Sequence, residues 1–198
     1  MSIYSRWWRR LRYRKGLLAA ARQRGDKATI RRRERQVASA RRVLARHRPK
    51  PLRERALAVA LSKVGVMERG GNNRGREVEE FIRANGGVPG EPWCGDFVAY
   101  CYLRAGAKSV TRAWASVRQL SLLLTRVRSP RPGHVVIYDF DHTGMFERWV
   151  DRKAGTFLAI EGNTGRTGAV SDSQTGGDGV RVKQRNVSQV ASFRRVLR

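Results

Sequence analysis

The chain of 198 residues has little cysteine, histidine or acid, and no long apolar run. Its two cysteines, Cys94 and Cys101, fall seven apart on one helix-like segment. Seven helical residues rise about 10 Å, beyond the reach of a disulfide. A disulfide framework is therefore excluded, and synthesis in a reducing compartment is expected. No stretch approaches the roughly 20 apolar residues of a membrane-spanning helix. The patch Leu17-Leu18-Ala19-Ala20-Ala21 is too short for the apolar region of a signal peptide, and more arginine follows at once. If the protein acts outside the cytoplasm, something else is expected to release it. No internal repeat is evident.

Acid is scarce too: 16 Asp+Glu stand against 42 Lys+Arg, a formal net charge of +26. The excess is uneven. Residues 1–50 hold 18 Lys+Arg and 2 acids, a balance of +16. Nearly all the base is arginine, whose bidentate fork suits phosphate and carboxylate. A chain of this charge binds polyanions: nucleic acid, anionic lipid or an acidic wall polymer.

What is present divides at Pro49-Lys50-Pro51. Before it, two basic helices are predicted, from about Ser5 to Gln23 and from about Lys27 to His47, broken at Gly25-Asp26. Trp7, Trp8, Leu11, Leu18 and Ala21 recur at helical spacing on the first, and Ile30, Val37 and Leu44 on the second. An antiparallel hairpin closed on this thin seam is expected. It reads either as a solvated charged hairpin or as a polyanion-binding arm. Trp7 and Trp8 beside Arg9 and Arg10 suit a membrane interface. No nucleic-acid-binding motif is recognisable.

After the break, helices are predicted over Arg53–Val64, Glu77–Asn85 and from Cys94 to about Ala105-Gly106. A helical or irregular stretch with Trp114, Val117, Leu120 and Leu123-Leu124 follows. Beyond Pro130 the texture changes to strands: His134–Tyr138, His142–Glu147, Thr156–Asn163, then Val180–Lys183 after the Gly176–Gly179 turn, with a final strand within Val187–Leu197. Helices first and an antiparallel sheet after is an α+β order.

The chemistry gathers around Pro92-Trp93-Cys94-Gly95-Asp96-Phe97. Glycine and proline crowd residues 86–92, so the helix can hardly begin before Cys94. At a helix N-terminus, unpaired N–H groups and the dipole favour thiolate. The bland alternative is a buried thiol packing as a small hydrophobe. A nucleophilic thiol needs a base, usually an imidazole held by a polar partner. Of the three histidines, His47 lies in the basic arm, while His134 and His142 open successive strands. Glu161 and Asn163, two apart near the end of the next strand, face one way by alternation. Each residue alone has a structural reading; together they form a Cys, His, Glu/Asn series.

From about Arg53 to Arg195 the chain resembles a CHAP domain, the cysteine- and histidine-dependent amidohydrolase/peptidase family related to NlpC/P60 and papain-like enzymes. The resemblance lies in Pro92-Trp93-Cys94-Gly95-Asp96-Phe97-Val98-Ala99-Tyr100-Cys101, Arg131-Pro132-Gly133-His134-Val135-Val136-Ile137-Tyr138, Asp141-His142-Thr143-Gly144-Met145 and Ile160-Glu161-Gly162-Asn163-Thr164. It implies a papain-like or NlpC/P60-like α+β domain over residues 51–198, behind an arginine-rich hairpin over 1–50. It implies Cys94 as nucleophile, His142 as general base, Glu161 as the group orienting His142, and Asn163 as an assisting polar group. Substrate contacts are expected from Asn72, Asn73, Trp93 and Asp96; the Asn72-Asn73-Arg74-Gly75 loop resembles the segment before the cysteine helix in bacteriophage lysins of this type. His134 stands where the family often has Asp, so it is read as a substituted structural position. Neither metal nor cofactor is expected.

The substrate implied is the peptide part of bacterial peptidoglycan, cut at the N-acetylmuramoyl–L-alanine amide or within the stem or cross-bridge peptide. The expected protein is a monomeric phage endolysin, made in the host cytoplasm and let out to the wall at lysis. Its arm would hold an anionic wall polymer or a membrane surface, and would bind nucleic acid only non-specifically. Two alternatives stay open: a virion-associated lysin with the same chemistry, and a polyanion- or nucleic-acid-binding protein on a degenerate CHAP scaffold.

Overall fold

Ser2 and Asp26 start the first two helices. The Ser2 hydroxyl accepts from the Ser5 N–H at 3.1 Å, and the Asp26 carboxylate accepts from the Thr29 N–H at 3.0 Å. These caps set α1 at Ile3–Gln23 and α2 at Lys27–Arg46 in the computed structural model of the chain, which describes residues 2–165 and 177–197. Gly25, at φ 69°, makes the turn between them. The seam holds Leu11, Val37, Ala40 and Leu44, with Tyr4, Trp7 and Leu18 packed beside it. Trp8, expected on that seam, is 43% exposed.

The chain divides into two compact units, Met1–Lys50 and Pro51–Arg198. The second begins with α3 (Leu52–Ser62), α4 (Arg76–Ala84), α5 (Cys94–Arg104), a 3-10 turn (Arg112–Ala115) and α6 (Val117–Leu123). Six strands follow: β1 (Thr125–Val127), β2 (Val135–Tyr138), β3 (Thr143–Asp151), β4 (Thr156–Thr164), β5 (Gly179–Asn186) and β6 (Val190–Arg195). They form one sheet in the order β1-β6-β2-β3-β4-β5, antiparallel throughout. The unit is α+β. β1 was not anticipated; it is three residues long and mostly exposed, too short for a periodic signal. Gly176, expected in the turn before β5, lies outside the described residues.

Alternation on β2 explains how the sheet is buried twice. Val135 and Ile137 join the helices α3 to α6 in one core with Met145, Ile160 and Val180. Val136 and Tyr138 join Phe146, Phe157 and Phe193 on the opposite face. There Phe146, Phe157, Phe193 and Trp149 meet largely edge-on, with centroids 5.2–6.5 Å apart. α5 is the hub of the first core: every residue from Cys94 to Tyr102 is buried. This helix, buried on every side over those residues, packs against α3, α4, β3 and β4.

Candidate active site

Cys94 is the first residue of α5, with Trp93 at the N-cap position and no capping side chain. The N–H groups of this turn have no acceptor within the helix. Two glycines let other elements close on it. A Cβ on Gly95 would lie 2.3 Å from the Trp114 carbonyl oxygen, and one on Gly162 would lie 2.7 Å from both Phe97 and Trp93. The 3-10 turn and β4 thus press directly on the start of the cysteine helix.

His142 ends the β2–β3 turn, one residue before β3. Its ring stacks on Tyr138 and Phe140, at 5.7 and 6.0 Å and within 18° of parallel. Its Nε2 lies 3.1 Å from Glu161 Oε2. Its side chain also hydrogen-bonds with Cys94. With Nε2 committed to Glu161, Nδ1 is the nitrogen left for the thiol. Both Cys94 and His142 are 1% exposed.

Glu161, on β4, is fully buried and heavily engaged. Arg185 donates from Nε to Oε1 at 2.9 Å and from Nη2 to Oε2 at 2.7 Å. Tyr138 donates its hydroxyl to Oε1 at 2.5 Å, and Thr164 donates its own to Oε2 at 3.4 Å. The carboxylate reaches His142 past Gly144, where a Cβ would come within 2.7 Å of Glu161 Cγ. The Arg185 guanidinium also lies over the Tyr138 and Phe140 rings, 5.1 and 5.4 Å from their centroids.

Electrostatics follow from this chain of contacts. Burial pushes the Glu161 carboxyl up, but Arg185 and His142 outweigh it and hold the group at about 2. Burial pulls His142 down, but its contacts with Cys94 and Glu161 outweigh that and raise it to about 10. At neutral pH the carboxylate is ionised and the imidazole carries a proton beside the sulfur. Such a set can attack an acyl carbon, donate a proton to a leaving group and stabilise an oxyanion at the helix N-terminus.

The structure brings Cys94, His142 and Glu161 together in one series. Asn163 is also buried, but it makes a different contact. Oriented to satisfy its neighbours, its amide accepts from the Trp93 N–H at 3.3 Å and donates to the Gly177 carbonyl at 3.2 Å. It braces the start of α5. The alternation argument does not govern it, because Asn163 has φ 55° and the β4–β5 pairing slips between Glu161 and Thr164.

The expected substrate contacts fall apart. Trp93 is fully buried and donates its indole N–H to Glu68 at 2.9 Å. Asp96 is fully buried, accepting from Asn85 at 2.7 Å and Arg112 at 3.0 Å. Asn73, at φ 56°, is 3% exposed and tied to Glu68 and Gly90. These three offer no surface to a ligand and instead pin the loops before α5. Asn72 alone of the four is exposed. His134 stands at the start of β2, the other end of the β2–β3 hairpin from His142.

Arg185 and Tyr138 are the site residues that sequence reasoning missed. A signal for Arg185 existed: Arg181, Lys183 and Arg185 recur at the two-residue period of a strand, and Lys183 and Arg185 are buried cations. Comparison with protein-family models, curated proteins and solved structures finds no match for this chain. The chemistry of the site therefore stands on its own geometry.

Proposed function

We propose that the protein is a thiol hydrolase of the CHAP type that cleaves an amide bond in the peptide of bacterial peptidoglycan. The single observation that carries this is the buried Cys94–His142–Glu161 series at the N-terminus of α5, closed by Arg185. A thiol used only for packing has no need of a charged imidazole, and a charged imidazole buried without a catalytic thiol is costly.

In the proposed reaction, the Cys94 sulfur attacks the amide carbonyl carbon while His142 holds the thiol proton. The Cys94 backbone N–H stabilises the oxyanion. The tetrahedral intermediate collapses, the C–N bond breaks, and the amine leaves with the proton from His142. Water then attacks the thioester; His142 takes one of its protons and returns it to sulfur as the acid product departs. Glu161 stays ionised, holding the ring's orientation and stabilising the imidazolium. Because the sulfur is covered, the proposal includes a local opening above Cys94 that admits the substrate.

The arm supports a wall-directed protein of the phage endolysin kind. Its first helix exposes Trp8 and Tyr13, and Arg10 and Arg14 lie over the Trp7 ring. Aromatic rings interleaved with arginine suit an anionic polymer or membrane face.

Purified protein on isolated cell walls tests the reaction. Cys94→Ala is expected to abolish clearing, and mass spectrometry of the released fragments reports the bond through its new ends. If Cys94→Ala clears walls as fast as the parent, the hydrolase assignment is wrong.

A further inference from the structure

His134 opens β2, while His142 precedes β3, and the register pairs Val135 with Met145 and Ile137 with Thr143. The two histidines therefore lie at opposite ends of a hairpin whose strands extend about 3.3 Å per residue. His134 belongs to different surroundings. It lines a cleft of about 490 Å³ together with Arg53, Arg131 and Arg195. No acidic side chain lines this cleft among the described residues.

Two of the three arginines lack a carboxylate partner among the described residues. Arg53 is held in place by donating to the Pro132 carbonyl at 2.7 Å and to Glu54 at 2.8 Å. Arg131 and Arg195 have no ion-pair partner among the described residues. His134 is 7% exposed, and its Nδ1 accepts from the Arg131 N–H at 3.2 Å. That bond places the proton of the neutral ring on Nε2, which makes Nε2–H a donor. Burial, then the charges of Arg53, Arg131 and Arg195, lower this histidine to about 4. At neutral pH the cleft thus presents three guanidinium groups and one uncharged imidazole donor, and of the three only Arg53 is matched by a carboxylate among the described residues, that of Glu54.

From this cluster the geometry points to a binding site for an organic phosphate, centred on Arg131, Arg195, Arg53 and His134 and separate from the thiol site. A phosphate offers at least two charged oxygens in three dimensions to several donors, where a carboxylate's two oxygens lie in one plane. The cleft's size leaves room for the alcohol that bears the phosphate, against Leu52, Val127 and Val196. The inference does not depend on the hydrolase reading.

The test is a titration of the full chain with inorganic phosphate, glycerol 3-phosphate and a poly(glycerol phosphate) oligomer, at constant ionic strength. The ring signals of His134 are followed by NMR. Saturable movement of the His134 signals and a rise in its pKa are expected, because a bound anion cancels the guanidinium field. The double variant Arg131→Gln, Arg195→Gln, both exposed positions, should bind at least about tenfold more weakly, as loss of charge-assisted hydrogen bonds implies. Inorganic phosphate binding as tightly as both esters would mean the alcohol is not recognised, and that overturns the organic part of the assignment. Monoester over polymer identifies a small phosphate ligand, and the reverse a wall-type phosphodiester. Acetate binding more tightly than phosphate overturns the phosphate class. Phosphate that leaves His134 unmoved, or binds the double variant equally well, overturns the site. The same binding in Cys94→Ala keeps it distinct from any failure of the hydrolase assignment.

Discussion

Glu161 is the residue on which the candidate site's electrostatics turn. It is a carboxylate without access to water, matched by one arginine, one imidazole and two hydroxyls. Such a group stabilises only while every partner stays. Replacing Arg185 with Met should cost about 3–5 kcal/mol in urea unfolding, the usual cost of leaving a buried charge alone. The pH dependence has two limbs. Glu161 is lowered from 4.5 to about 2, so its contribution is present above about pH 4.5 and is lost as pH falls toward 2. His142 is raised from 6.5 to about 10, so its contribution is full below pH 6.5 and is lost as pH rises through about 10. Urea midpoints across pH should show both limbs, and His142→Gln should flatten the alkaline one. An unchanged alkaline limb would mean that His142 is not charged in the folded protein. Legibility at this scale was partial. Cys94 announces itself by residue type and position, while the choice of His142 over His134 and of Glu161 over Asn163 rests on the resemblance to CHAP domains. Trp93, Asp96 and Asn73 look like ligand contacts in a one-dimensional string, but burial assigns them to bracing loops.

At the scale of elements, the site is a meeting of α5 with the β2–β3–β4 meander. The helix start at Cys94 was legible because glycine and proline leave nowhere else for it to begin. The strand ends were less so. β4 carries a slip between Glu161 and Thr164, and a slip turns a same-face rule into a false one. Gly144 shows how close the strands come. Gly144→Ala would put a methyl 2.7 Å from Glu161 Cγ and is expected to cost about 1–3 kcal/mol, as overpacking does. It should also lower the pKa of His142 by disturbing its carboxylate partner. Gly16→Ala in the middle of α1 is the counterpart: nothing lies within 4 Å of the added carbon. It should stabilise by about 0.5–1 kcal/mol through helix propensity. Thermal and urea unfolding of the two variants should therefore move in opposite directions.

Across the whole molecule the dominant quantity is the net charge of +26. Exposed charges act over a Debye length, about 8 Å at physiological salt, so binding to polyanions should weaken steeply as salt rises. Each arginine near an anionic membrane contributes about 1 kcal/mol, or roughly fivefold in affinity. Arg9→Gln with Arg12→Gln, both exposed on α1, should therefore weaken sedimentation with anionic vesicles about 25-fold. If the proposed hydrolase activity holds, hydrolysis of soluble wall fragments should be unchanged in the same variant. Equal sedimentation of variant and parent would remove these positions from the binding surface.

Composition and local pattern alone determined the basic hairpin, the helix-then-sheet order, the start of α5 and the candidacy of Cys94, of His134 or His142, and of Glu161 or Asn163. These are properties that short windows of chain carry: periodicity, breakers and residue chemistry. Only the tertiary structure decided that Arg185 and Tyr138 complete the carboxylate's shell, that Asn163 turns to the Trp93 backbone, and that His134 faces a cleft of arginines. Each of those depends on which side chains from distant strands share a buried space. A buried charge selects its partners by proximity in three dimensions, which no spacing along the chain records.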